Sequence, residues 1–206
     1  MTKKSSLAPR FRHAGIASIV LLLTLMTGLA VPGRVKESKE AFPGITVKNF
    51  GKVNDNYYRG AQPLNQEEFD QLKKLGIKTI IDLRKDNLRQ AEEWAHTAGL
   101  QYFNIPLLAY FPTTQEQTDY FLKIVNDPAN QPVYVHCKSG KHRTGGMTAI
   151  YRISHDGWTA DQAYKEMEEY DFNGGFFGGP GTQKKYIYDF YDRYSAQHSQ
   201  GKTSSK

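Results

Sequence analysis

The stretch from Pro132 to His155 constrains this chain more than any other. Pro132–His136 (PVYVH) reads as a buried strand and Thr144–His155 as a helix. They are joined through His136-Cys137-Lys138-Ser139-Gly140-Lys141-His142-Arg143-Thr144-Gly145. A Gly-containing loop that leaves a strand and opens a helix can wrap successive backbone N–H groups around one point. The helix turns its positive end to that same point, and the result is an anion cradle. A thiol at the base of the cradle is stabilised as thiolate, so Cys137 is expected to be unusually acidic. Arg143 can curl back and bind two phosphate oxygens through its fork. Thr144 can donate a hydroxyl hydrogen bond to the sulfur. A thiolate beneath a bound phosphate is placed for in-line attack, through a phosphocysteine intermediate. An ordinary buried cysteine before a helix needs none of these neighbours. His-Cys with Gly, Arg and Thr at these offsets arises from composition at roughly one site in 10⁵.

The rest of residues 45–194 alternates strand and helix. Ile45–Val53 is predicted as a first strand, followed by the turn-rich NDNYYRGAQP. Asn65-Gln66-Glu67-Glu68 opens a helix that ends near Gly76 with the pattern of a capping box. Lys78–Leu83 (KTIIDL) is a short buried strand, Asn87–Ala98 a helix stopped by Gly99, and Leu100–Ile105 another strand. Thr113-Thr114-Gln115-Glu116 caps a helix with Phe121, Leu122 and Val125 inward, and Thr159-Ala160-Asp161-Gln162 caps another. Gln183–Tyr194 is a last helix, whose stripe of Tyr186, Ile187, Phe190, Tyr191 and Tyr194 reads as core packing. This order predicts an α/β fold, with a mostly parallel central sheet of four to five strands and helices on both faces. Ligands of such folds sit at the C-terminal ends of strands.

Outside this domain the chain changes character. Gly15–Gly33 carries no charge, and Ile16–Met26 (IASIVLLLTLM) is densely apolar and follows a basic stretch. Residues 1–34 therefore read as a signal peptide, with Gly28-Leu29-Ala30 as a small-x-small site, or as an uncleaved membrane anchor. Either reading places the domain on the non-cytoplasmic side, exported or membrane-anchored. Residues 35–44 read as a linker and 195–206 (SAQHSQGKTSSK) as a flexible tail. The net charge of +6 does not point to nucleic acid, because residues 1–34 hold five basic residues and no acid. The remainder carries 22 basic against 21 acidic residues and shows no basic stripe with interleaved aromatics. The chain has one cysteine, which excludes a disulfide framework and a multi-cysteine zinc site within it. No cofactor or metal is expected, and the oligomeric state is not legible.

The loop residues resemble the signature of the protein-tyrosine-phosphatase superfamily, Cys-x5-Arg-Ser/Thr. The resemblance covers about residues 45–172. Tyr58-Arg59-Gly60-Ala61-Gln62-Pro63 and Ile81-Asp82-Leu83-Arg84 look like motifs of its compact dual-specificity-like bacterial and plant or fungal members. It implies metal-free hydrolysis of phosphomonoesters on a mixed sheet, with Cys137 as nucleophile and Arg143 as phosphate clamp. Lys138, Ser139, Gly140, Lys141, His142, Arg143 and Thr144 would surround the phosphate. Lys138 and Lys141 suit a polyanion. Cys-Lys-x-Gly-Lys-x-Arg resembles the tensin-related phosphoinositide phosphatases, and the longer His-Cys-Lys-x-Gly-Lys-His-Arg-Thr-Gly resembles atypical phosphatases associated with inositol pyrophosphates. Phosphorylated proteins, phosphoinositides and inositol polyphosphates are all compatible partners. Arg59 either reaches the phosphate loop or serves as scaffold.

The pattern breaks at the general acid. Family members usually place an aspartate on a loop beside the cradle, whereas Pro106-Leu107-Leu108-Ala109-Tyr110-Phe111-Pro112 contains none. Asp82, at the end of a strand expected beside the Cys137 strand, is the preferred donor. His142 is the second choice, opposed by the cationic neighbours Lys141 and Arg143. Glu116 and Asp86 remain behind them. Two other function classes compete: a phosphate-binding module without turnover, and another thiol enzyme such as a sulfurtransferase or arsenate reductase. An intact Cys137, Arg143 and Thr144 argue against the first, and Arg-Thr after the loop with no partner cysteine argues against the second.

Overall fold

The computed structural model describes residues 42–86, 88–108, 113–173 and 179–199. The leader 1–34, nearly all of the linker 35–44, loop residues 109–112, 174–178 in the Gly-rich stretch and the end of the tail lie outside the described residues. Strands β1 (Gly51–Asn54), β2 (Tyr57–Ala61), β3 (Thr79–Asp82), β4 (Gln101–Asn104) and β5 (Val133–Cys137) form one sheet in the order β1-β2-β5-β3-β4. Only the β1–β2 pair is antiparallel; β2–β5, β5–β3 and β3–β4 run parallel. Helices α1 (Gln66–Lys74), α2 (Leu88–Thr97), α3 (Gln115–Val125), α4 (Arg143–Asp156), α5 (Ala160–Glu169) and α6 (Gly179–Ser199) surround it. The fold is the mixed, mostly parallel α/β sheet that the strand–helix alternation predicts.

Side chains along β3 and β5 alternate between two cores, as the two-residue strand period requires. Ile81, Val133 and Val135 pack with Phe121 and Ile124 of α3 and with Met147 and Tyr151 of α4. Ile80 and Tyr134 face the other way, onto Phe69 and Leu72 of α1 and Ala91 and Ala95 of α2. Burial of each large apolar side chain here contributes about 1.5–3 kcal/mol. A third cluster joins the far side of α4 to α5 and α6, through Ala149, Ile150, Ile153, Ala163, Met167, Ile187 and Phe190. The aromatic stripe of the last helix packs against that cluster, with Tyr186, Tyr191 and Tyr194 partly buried. Among the described residues no helix is long and apolar enough to cross a membrane.

The N-terminal part of the domain differs from expectation. The predicted strand Ile45–Val53 forms a strand only from Gly51, because Asn49 (φ +54°) takes the left-handed conformation and breaks the run. The stretch read as turn-rich holds β2, all of whose residues are buried. Its turn is confined to the residues around Asp55, where Asn54 Oδ1 accepts from Asn56 N at 2.9 Å. The capping box predicted at α1 closes differently too. Asn65 accepts from Glu68 N, while the Glu68 carboxylate accepts from Leu64 N at 2.6 Å. Complete boxes form at Thr114/Gln117 and Thr159/Gln162.

Candidate active site

The parallel register brings three strand ends together. Ala61 of β2 lies beside Cys137 of β5, and Asp82 of β3 lies beside His136. From Cys137 the chain turns through Gly140 (φ +73°) and enters α4 at Arg143. No side chain caps α4, so its first N–H groups are left for the loop and whatever the loop binds. Of the residues expected around a phosphate, Lys138 to His142 form the loop before α4, and Arg143 and Thr144 are its first helical residues.

Cys137 sits at the base of this turn and is only 2% exposed. Burial pushes its thiol up. The Thr144 hydroxyl, the Thr144 N–H, the Arg143 charge and the Ser139 N–H outweigh it and hold the thiol below its ordinary value. The Thr144 hydroxyl is buried, with no oxygen or nitrogen partner, and lies against the sulfur. Arg143 is anchored loosely, Nη1 donating to the Leu83 and Leu107 carbonyls at 3.4 and 3.5 Å. Those contacts place the guanidinium beyond the ends of β3 and β4.

The loop is held from below by backbone packing. A Cβ on Gly140 would come within 2.5 Å of the Gly60 carbonyl carbon. Gln62 N donates to Lys138 O at 3.4 Å, and Asn49 Nδ2 reaches the carbonyls of both Ser139 and Tyr170 at 3.3 Å. Arg59 is fully buried, donates from Nη2 to Gly140 O at 3.0 Å, and lies 3.8 Å from the centre of the Tyr170 ring. It thus reaches the phosphate loop from behind and has no carboxylate partner among the described residues. At the rim, Lys138 is exposed and Lys141 Nζ is 3.6 Å from Asp171. A cleft beside the loop is lined by Leu108, Thr113, His142, Arg143, Gly146 and Tyr186.

The structure corrects the assignment of Asp82 as proton donor. Its carboxylate is fully buried and gripped by Arg84, with Nε 3.0 Å from both oxygens and Nη2 2.6 Å from Oδ2. Tyr102 donates to Oδ2 at 2.6 Å, and the His136 ring stands 3.7 Å away. Burial pushes the carboxyl up, but His136, Arg84 and Tyr102 prevail and hold it at about 2. A group so acidic and so enclosed holds no proton to give near neutrality. Arg84 goes on to bind Gln62 Oε1 at 2.7 Å, and Asn104 Nδ2 ties the Asp82 and Arg84 carbonyls. Asp82 therefore braces the strand ends that carry the loop.

His142 is no better suited. Burial, then Lys141 and Arg143, push its pKa down, and its ring meets Phe172 edge-on at 5.3 Å. Glu116 is exposed at the start of α3, held acidic by its own N–H and by Thr114. Asn49, Gln62, Tyr102 and Tyr170 support the site and were not predicted. Gln62 lies in the YRGAQP motif and had a readable signal, whereas Tyr102, opposite Ile80 in the β3–β4 register, reaches Asp82 only diagonally across the paired strands and had none. Asn49 and Tyr170 are far from the loop in sequence and had none.

A family model described as DSP-PTPase phosphatase fused to NAD+ kinase matches residues 44–179. The dual specificity protein phosphatase TpbA of Pseudomonas aeruginosa is 30% identical over 128 residues, 62% of this chain and 55% of TpbA. The inositol diphosphatase DSP3 of Arabidopsis thaliana is 34% identical over 134 residues, 62% of this chain and 63% of DSP3. The chain thus spans between half and two thirds of the length of these relatives. Among solved structures, the core catalytic domain of the PP-IP phosphatase SIW14 from S. cerevisiae superposes with a TM-score of 0.62 at 25% identity. That match covers 77% of this chain and 94% of the SIW14 domain. The match across residues 44–179, together with a cysteine loop at the mouth of a parallel sheet, establishes that the chain belongs to the DSP-PTPase family of cysteine phosphatases.

Proposed function

We propose that the domain hydrolyses phosphomonoesters through Cys137, with phosphorylated proteins as substrates. The observation that carries this reading is a buried thiol held acidic at the N-terminus of α4, beneath the Arg143 side chain. The Cys137 sulfur attacks phosphorus, the bond to the ester oxygen breaks, and a phosphocysteine forms. Water then attacks that phosphorus and frees phosphate and the thiolate. Arg143 and the loop N–H groups stabilise the charge on the equatorial oxygens in both steps. Lys138 to Thr144 surround the phosphate.

With Asp82 locked in an ion pair and His142 biased to its neutral form, the leaving oxygen gains its proton from Asp86, exposed in the bend after β3, from the substrate or from water, or departs as an anion. This favours substrates with stable leaving anions, such as phosphotyrosine, over alkyl esters. The names of relatives support the same reaction class, since TpbA is a dual specificity protein phosphatase. A second reading, diphosphoinositol substrates, is supported by the rim lysines Lys138 and Lys141 and by the names of DSP3 and SIW14. Attack on the β-phosphorus of a diphosphoinositol breaks the P–O–P bond and releases the inositol-bound α-phosphate, which is also a stable leaving anion.

The test is turnover of para-nitrophenyl phosphate, phosphopeptides, phosphoinositides and inositol diphosphates by the unaltered chain and two variants. Cys137→Ser should lower kcat at least about 10³-fold, because an alcohol ionises far less readily than a thiol. Arg143→Lys should cost about 10²-fold or more, since a point charge cannot replace the bidentate fork. Substantial turnover by Cys137→Ser would overturn the reading, and the preferred substrate decides between the two classes.

We further propose that the domain lies outside the cytoplasm. The basic start and apolar Ile16–Met26 support export, or anchoring with residues 45–194 on the non-cytoplasmic side. Recovery of the full-length chain purely from the soluble cytosolic fraction would refute it.

A further inference from the structure

Arg59 is a charge in an unusual place. It belongs to a strand whose residues are all buried, and its own side chain is fully enclosed. Its polar contact is the Gly140 carbonyl, while Nε and Nη1 have no hydrogen-bond partner and the Tyr170 ring covers the guanidinium. A buried cation without a carboxylate costs folding free energy, and it persists when something else requires it. What it touches suggests what that requirement is. In a trans peptide the C=O and the following N–H point in opposite directions. The Gly140 carbonyl is drawn down onto Arg59, so the Lys141 N–H is turned the opposite way, off the guanidinium. Left-handed Gly140, seated against the Gly60 backbone, permits that orientation.

We infer that Arg59 is a positioning residue which, backed by Tyr170, pins the Gly140–Lys141 peptide in its anion-binding orientation and adds a buried positive charge beneath the bound phosphate. It acts through the loop and does not touch the substrate. The inference rests on the proposed phosphate site, and its test can fail separately from that reading. A scaffold residue and a positioning residue differ in what their removal costs. If Arg59 merely supported the fold, Arg59→Met would lower stability and spare binding in the protein that remains folded. If it positions the loop, Arg59→Met should leave the melting temperature unchanged or raised, because a buried unpaired charge has been removed.

The experiment measures inorganic phosphate binding by calorimetry, with melting temperature, on the full chain. Arg59→Met is expected to weaken phosphate binding about tenfold or more, the loss of one charge-assisted hydrogen bond. Kinetics on para-nitrophenyl phosphate should show KM raised along with lowered kcat. Arg59→Lys, which keeps the charge and one donor, should recover part of the phosphate affinity, whereas Arg59→Gln should recover less. If Arg59→Met fails to fold, the comparison of the Lys and Gln variants decides, and equal phosphate affinity in those two overturns the inference. Unchanged phosphate affinity in a folded Arg59→Met also overturns it. Failure of the unaltered chain to bind phosphate would overturn the phosphate site itself, and the inference with it.

Discussion

At the scale of single residues, Asp82 shows how one side chain supports two readings. A carboxylate at the end of a strand beside the nucleophile strand has the position of a proton donor. It also has Arg84 two residues away, and in extended chain such residues share a face. The ion pair was therefore legible, and what decides for it is burial with Tyr102 and His136, which the sequence does not display. Two outcomes follow. Asp82→Asn leaves Arg84 buried without its partner and should cost about 3 kcal/mol of stability. It should not alter the ratio of kcat/KM between aryl and alkyl phosphates, since the lost group is not the acid. A selective loss on the alkyl ester would restore Asp82 as donor.

The second outcome concerns pH. Asp82 is depressed from 3.8 to about 2, so its contribution is complete above about pH 4 and lost as pH falls towards 2. That contribution amounts to roughly 2 kcal/mol. His136 is fully buried, and burial outweighs the pull of Asp82 and holds its pKa below the ordinary value, so the folded chain takes up this proton only at lower pH than the unfolded chain does. Below about pH 6.5 the unfolded chain gains that proton and the folded chain resists it, so stability also falls there. Urea midpoints should therefore decline with acid in two stages. His136→Gln should remove the upper stage and Asp82→Asn the lower.

At the scale of elements, α4 and β5 were the most legible, because a strand, a glycine loop and a helix each have their own local signature. The β1–β2 hairpin was the least. Tyr57–Ala61 carries an arginine and a glycine within a fully buried strand, a composition that reads as a turn. Its burial comes from partners far along the chain, in β5 and the phosphate loop. The starts of α3 and α5 were legible, since Thr114 and Thr159 announce them through capping boxes, whereas α6 runs from Gly179 to Ser199, beyond the predicted Gln183–Tyr194 at both ends and into the stretch read as a flexible tail. The glycines where this hairpin meets the loop yield a sharp expectation. Gly140→Ala meets both a left-handed φ and the Gly60 backbone, so the loop must shift. A displacement of about 1 Å at the site should cost about 10²-fold in kcat/KM. Circular dichroism should remain that of the parent, and full activity in the alanine variant would show that the loop has slack.

At the scale of the whole molecule, the sheet is covered on both faces and opens for chemistry at the strand ends near Cys137. The acidity that equips this thiol for attack also exposes it to oxidants, since the thiolate is the form that oxidises. Hydrogen peroxide should abolish turnover at a rate that phosphate slows by occupying the cradle. Mass spectrometry should find the added oxygen on Cys137, and persistence of activity under peroxide would contradict an acidic thiol. The lone cysteine then determines how such damage can be undone. Many redox-regulated thiols are protected by a second cysteine that captures the sulfenic acid as a disulfide. This chain offers no second cysteine. Its recovery after an oxidative pulse must therefore depend on a thiol from outside the chain, so the reducing power of its surroundings would set how long it stays silent.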